Sequence, residues 1–209
     1  ENSLQVCVAA LRAFAAVGEE AVPSLAAALL DPRANVRTAA ANVLREMGSD
    51  ALPATDALTS ALDDAERWVR WYACESLGNL GPEAASAVPA LARLLDHNDA
   101  QTRRRAAAAL GQIGPEASAA VESLERVEGS DSIREVRREA TLALYQINLE
   151  QIARQAAESA EPEIAELIKA LGSGDEHQGV AAARQLAQLG PRAEPAVSTE
   201  LMVAKPCRW

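Results

Sequence analysis

The sequence predicts an all-α protein, a right-handed α-solenoid of stacked helical hairpins, on three observations. One pattern of small, apolar and stop residues recurs six times along the 209 residues. Apolar residues make up 49% of the chain and aromatics only 3%, which suits thin layers of Ala and Leu better than a thick globular core. No segment alternates apolar and polar residues as a strand does.

The copies align on Ala10, Ala40, Ala73, Ala106, Ala140 and Ala182. Four residues on they read Phe14, Leu44, Leu77, Leu110, Leu144 and Leu186; three further on they read Val17, Met47, Leu80, Ile113, Ile147 and Leu189. Spacings of four and three put these side chains on one face of a helix. The next residue is Gly18, Gly48, Gly81, Gly114, Asn148 or Gly190, residue types suited to the left-handed conformation that ends a helix. Pro82, Pro115 and Pro191 follow directly and reinforce the stop.

A shorter apolar segment precedes each of these helices. The clearest are Ala21 to Leu30, Ala51 to Leu62, Ala87 to Leu95, Ala119 to Val127 and Glu163 to Leu171, with Leu25, Leu58, Leu91, Leu124 and Leu167 as expected inward anchors. Polar turns such as Asp31-Pro32-Arg33, Asp63-Asp64 and Asp96-His97-Asn98-Asp99 separate the two helices of each unit. Asp63 with Glu66, Asn98 with Gln101, and Ser132 with Glu135 have the spacing of a cap residue and its partner three places on.

Measured between the Phe14-to-Leu186 positions, successive units are offset by 30, 33, 33, 34 and 42 residues. A hairpin this short cannot bury its own apolar face, so neighbours must stack and share one core. Residues 1–209 are therefore expected to form a single solenoid of about five full repeats with half-repeats at both ends. The long last interval predicts an irregular joint near residues 150–162, lengthening a helix or adding a turn.

The repeats resemble HEAT repeats, in particular the HEAT-like type of phycobilisome lyase subunits and of many bacterial proteins. The matching text is Gly81-Pro82-Glu83-Ala84 through Ala87-Val88-Pro89-Ala90-Leu91, the Asp-rich turn, Arg103 to Gly114, and Gly114-Pro115-Glu116-Ala117 opening the next copy. HEAT repeats carry a turn Asp and an Arg six residues later whose side chains link neighbouring repeats as a ladder. Asp31 with Arg37, Asp64 with Arg70, and Asp131 with Arg137 keep that spacing, while His97 replaces the acid before Arg103. In the last copy both positions are lost, to Ser173 and Gly179, so the resemblance implies a ladder that ends there.

Groups for catalysis are scarce. His97 and His177 lie in separate polar turns without a second His or a Cys at ligand spacing, so no metal site is expected and both read as solvent-exposed turn residues. No phosphate-binding loop or nucleophile elbow is present, and no cofactor is implied by the residues. Cys7, Cys74 and Cys207 are odd in number and far apart, which is not a disulfide framework and favours a reducing compartment. Cys7 and Cys74 fall in second helices, where a thiol packs as a small apolar group. Cytoplasmic localisation is favoured, with export after signal removal left open. The half-repeats at both ends make the chain an expected domain or fragment of a longer protein.

One local departure from the repeat is aromatic. Trp68, Trp71 and Tyr72 fall within five residues of a chain holding six aromatics, and most positions aligned with Trp71 (Thr38, Arg104, Arg138, Val180) and Tyr72 (Ala39, Arg105, Glu139) are polar or charged. All three are therefore expected at the surface; the rival reading packs Trp71 or Tyr72 into a gap between repeats. Arg45, Trp71, Glu75, Arg104, Arg105, Arg138 and Tyr145 would share the outward stripe of the second helices, which in HEAT arrays lines the concave groove. Trp68, Trp71, Tyr72, Arg104, Arg105, Arg138 and Tyr145 are the candidate partner-binding set, since aromatics and Arg together make interface hot spots.

Arg103-Arg104-Arg105 and the cluster Arg134, Arg137, Arg138 invite a nucleic-acid reading, but a net charge of −10 opposes a polyanion. The expected function is a non-enzymatic scaffold that holds a protein or peptide in the groove, with no nucleic acid and no membrane as partner. The resemblance alone implies an alternative, a phycobilin lyase or isomerase subunit whose groove arginines bind propionates. A third reading is kinship with HEAT-like alkylpurine DNA glycosylases, whose catalytic pattern this chain does not match residue by residue.

Overall fold

The structure, a computed structural model, describes residues 18–158 without a break, with side chains through 148, and outside that stretch residues 9, 11–13, 166–167, 170, 181–182 and 185. The chain divides into two compact units, Glu1–Ala143 and Leu144–Trp209. In the first, hairpins follow one another in chain order: α1 (Val22–Ala28) with α2 (Ala34–Met47), α3 (Thr55–Ala61) with α4 (Arg67–Leu80), and α5 (Val88–Leu94) with α6 (Ala100–Ile113). α7 (Val121–Ser130) leads to α8 (Arg134–Glu158), which ends within the second unit. No strand occurs among the described residues. The second helices form one layer in which α4 packs between α2 and α6.

The recurring positions are the core of this stack. Leu25, Leu58, Leu91 and Leu124 of the first helices are fully buried, as are Ala40, Ala73, Ala106 and Ala140 of the second. Leu44, Leu77 and Leu110 complete the layers. Burying each such leucine contributes about 1.5–3 kcal/mol, and the alanines let neighbouring helices approach closely. Of the second unit's repeat positions, Leu144, Ile147 and Ala182 are buried and Leu167 is half-buried. Ala10, Phe14, Val17, Leu186 and Leu189 lie outside the described residues.

Gly81 and Gly114 end α4 and α6 at φ of +62° and +75°, in the region where a Cβ is strained. The first helices start later than the sequence suggests, because Gly48–Ala54, Gly81–Ala87 and Gly114–Ala120 form tight 3₁₀ turns before α3, α5 and α7. Each of these turns contains a proline, Pro53, Pro82 or Pro115, which lacks the N–H that an α-helical turn uses.

Two sequence expectations are corrected. Asn148 does not stop its helix, since α8 runs on to Glu158. Asn148 has a Cβ and no following proline, and the next residues, Leu149-Glu150-Gln151-Ile152-Ala153, favour the helix. The caps also shift: Glu66 caps α4 through the Trp68 N–H, and Asp99 caps α6 through the N–H groups of Gln101 and Thr102. Asp64 and Asp131 instead brace the turn, each accepting the backbone N–H two residues ahead.

Candidate functional site

The joints between repeats show how the candidate residues are placed. Arg37 donates to the Asp31 carbonyl of its own turn (2.9 Å) and, through Nε and Nη2, to both oxygens of Asp64 in the next turn (2.7 and 3.0 Å). Arg103 repeats this with the His97 carbonyl (2.8 Å) and the Asp131 carboxylate (2.6 and 3.0 Å). Each rung thus joins an Arg to the acid of the following repeat, and its own turn supplies only a carbonyl. Arg137 donates to the Asp131 carbonyl (2.6 Å), while Ser173 and Gly179 lie outside the described residues.

The rung at Arg70 is incomplete. Its Nη1 donates to the Asp64 and Ala65 carbonyls (2.6 and 3.0 Å), but the acid expected in the next turn is His97, and the buried Nε has no acceptor. His97 is half-buried rather than solvent-exposed, because its Nδ1 accepts the Asp99 N–H (3.0 Å) and takes over the bracing role of the turn Asp.

Trp71 crosses that same joint, which corrects the expectation that it lies at the surface: only 8% of it is exposed. Its indole N–H donates to Thr102 Oγ1 (3.0 Å) and Asp99 Oδ2 (3.2 Å) at the start of α6. A buried indole needs such an acceptor, and the cap of the next helix supplies two. Burial raises the Asp99 carboxyl pKa, but hydrogen bonds from Thr102 and Trp71 outweigh it and hold the group below the usual range. Asp99 and Thr102 were missing from the sequence-level site; the signal available was an Asp with a hydroxyl residue three places on, opening a helix.

Trp68 and Tyr72 remain on the outer side of α4, Trp68 40% exposed and Tyr72 half-buried. Trp68 meets Trp71 edge-on, centroids 4.8 Å apart at 74°, and lies 6.1 Å from Tyr72. The Arg67 guanidinium lies 5.4 Å from the Trp68 ring and 5.5 Å from that of Trp71. Arg45 from α2 covers Tyr72 at 5.5 Å, and Arg105 from α6 covers Trp71 at 5.0 Å. Glu75 bridges the two flanking arginines, pairing with Arg45 at 3.5 Å and in close contact with Arg105. The aromatic strip of α4 is thus clamped from both neighbouring helices.

Beside the strip, a cavity of about 250 Å³ opens between α4, α6 and the first turns of α8, lined by Glu75, Gln101, Arg104, Arg105, Gln112 and Glu139. Arg104 pairs with Glu139 at 3.2 Å. Cys74 also borders the cavity, and burial pushes its thiol up to about 12, toward the protonated form. Arg138 is exposed on the same helix layer, Tyr145 belongs to the second unit, and His177, Cys7 and Cys207 fall outside the described residues. Among the described residues no group of His, Cys, Asp and Glu is placed to hold a metal ion, and no helix is long and apolar enough to cross a membrane.

Family comparison agrees with this geometry. Residues 55–145 match the family model of HEAT repeats, and residues 36–64 match that of the PBS lyase HEAT-like repeat. Residues 36–145 are thus HEAT and HEAT-like repeats. A search of curated proteins finds no match to this chain. Among solved structures it is similar to the complex of CpcE and CpcF of phycocyanin lyase from Nostoc sp. PCC7120, at 21% identity and a TM-score of 0.57 over 68% of this chain and 98% of that one. A designed armadillo repeat protein in complex with the peptide (KR)4 aligns at 21% identity and a TM-score of 0.54, covering 85% and 89% of the two chains. A second designed armadillo repeat protein aligns at 23% and 0.57, covering 95% and 94%. At these identities the likeness establishes the solenoid fold of the HEAT array and leaves its site to be argued from its own residues.

Proposed function

We propose that the HEAT array is a non-enzymatic scaffold that holds an extended segment of a protein or peptide across the outer face of α2, α4 and α6. The observation that carries this is the aromatic strip. Trp68 is a large, partly exposed ring whose position is fixed by Trp71, Tyr72 and Arg67 before any partner arrives. A preorganised aromatic with arginines around it is the usual chemistry of an interface hot spot, because little ordering entropy is lost on contact. The repeat continues the same face on either side and so offers an extended surface rather than one deep pocket.

The size of the cavity favours this over an enclosed cofactor site, since about 250 Å³ lies below the roughly 300–1,000 Å³ of small-molecule pockets. The protonated Cys74 thiol gives no support to covalent chemistry at that wall. The test is selection of a random dodecapeptide display library on the immobilised full chain. Peptides that bind the wild type are expected to lose at least tenfold in affinity to Trp68→Ala, with circular dichroism unchanged. Failure to enrich any peptide, or a pool indifferent to Trp68→Ala, rules the reading out.

A further inference from the structure

Resting on that reading, we infer that the segment held on this face is acidic, with an Asp or Glu side chain reaching the cavity beside Arg104 and Arg105. The first support is the way charge divides between the helix layers. From Ala34 to Ala143 the second helices carry ten arginines and four glutamates. The first helices, 3₁₀ turns and loops from residue 19 to 133 carry sixteen acidic and three basic residues. The net charge of −10 therefore hides a basic layer within an acidic chain.

The second support is how the carboxylates of the basic layer are used. Glu75 is shared by two arginines, Arg45 and Arg105, and Glu139 is held by Arg104. Among the described residues Arg67 has rings but no carboxylate at ion-pair distance, and Arg138 has no carboxylate partner. At the cavity a basic segment would have to draw Glu75 from two cations or Glu139 from one, whereas an acidic one meets cations with spare capacity. At the cavity that capacity is concrete. Arg104 gives one N–H to Glu139, with its side chain 47% exposed; Arg105 gives one to Glu75 through Nη1, its Nε is buried, and the rest of its fork lines the cavity. A guanidinium has five N–H donors in a fork suited to a carboxylate, so both arginines can accept a second acid without losing the first.

Peptide rather than nucleic acid follows from the edges of this face. The turns carrying Asp63, Asp64, Asp96, Asp99 and Asp131 border the second helices at their N-terminal ends, so a polyanion crossing them meets repeated negative charge. A short segment placing one or two carboxylates between α4 and α6 avoids those turns.

The dodecapeptide selection separates the two claims when its pool is sequenced. The expected pool is enriched in Asp and Glu over Lys and Arg. An individual synthetic peptide from it should bind the double variant Arg67→Gln/Arg104→Gln about tenfold more weakly, and weaken as salt rises from about 0.05 to about 0.5 M. Both positions are exposed, and the single variants Arg104→Gln and Arg138→Gln give a smaller loss of the same sign if the double variant loses helicity. A pool rich in Lys and Arg, or uncharged, overturns the acidic segment while leaving peptide binding intact; an empty pool overturns both. Displacement of the peptide by dodecathymidylate at concentrations below the peptide's own Kd also overturns the inference, because the anion recognised is then a nucleic acid.

Discussion

At the scale of single residues, the joint between α4 and α6 holds a substitution and its compensation side by side. His97 stands where the ladder needs an acid and leaves Arg70 Nε buried without an acceptor, while the neighbouring Trp71 carries its own hydrogen bonds across the same joint to Asp99 and Thr102. His97→Asp should therefore stabilise the protein by about 1 kcal/mol, since it supplies the carboxylate that Arg37 and Arg103 already have while keeping the turn's acceptor for the Asp99 N–H. Urea unfolding reads the gain, and it should be larger in a Trp71→Phe background, where the indole bonds are gone. A neutral or negative effect in both backgrounds means that the joint does not accommodate the ladder geometry. The Arg positions and the loss of the acid at His97 were legible in the sequence. The burial of Trp71 was legible only as the rival reading, because alignment with polar residues in other copies describes a direction in space, and a ring that large reaches the next repeat from a position where Thr38 is simply covered.

At the scale of elements, the helix ends follow local chemistry closely. Glycine followed by proline stopped α4 and α6 as expected, and both glycines have positive φ. Asn148 followed by Leu149 did not stop α8, since neither residue forbids the next helical turn. Replacing this pair, Asn148→Gly with Leu149→Pro, should end the helix near residue 148 and remove the helical signal of about ten residues, visible as lower ellipticity at 222 nm. An unchanged spectrum would mean that packing rather than sequence holds Leu149 to Glu158 in the helix. The late starts of α3, α5 and α7 were harder to read, because a proline early in an apolar run suits both a first α-helical turn and the 3₁₀ turn observed.

At the scale of the whole molecule, the array is a set of joints of similar construction, so they respond to acid together. The Asp131 carboxyl is held below its usual range first by the Arg103 hydrogen bonds, then by the Ile133 N–H; that of Asp64 is raised by burial, but Arg37 and the Glu66 N–H outweigh it. Lowered folded-state values mean that this stability is present above about pH 4, the unfolded carboxylate range, and is lost as pH falls through the folded values. The urea midpoint should be level above about pH 5 and fall steeply below about pH 4, with Asp131→Asn giving a lower plateau and a shallower acid limb. An unaltered acid limb in Asp131→Asn removes the rung from the account of acid stability. The hairpin stack of the first unit was legible from Ala40, Ala73, Ala106 and Ala140 and their followers, whereas the aromatic clamp depends on three helices meeting and no single repeat encodes it. The α4–α6 joint also bears on how such a chain can diverge. Its histidine leaves the Asp64 and Asp131 rungs at the adjoining joints intact, so the cost of a lost acid is met by a tryptophan one residue from the orphaned arginine. A changed turn is thus absorbed within one joint, and the rungs on either side keep their geometry.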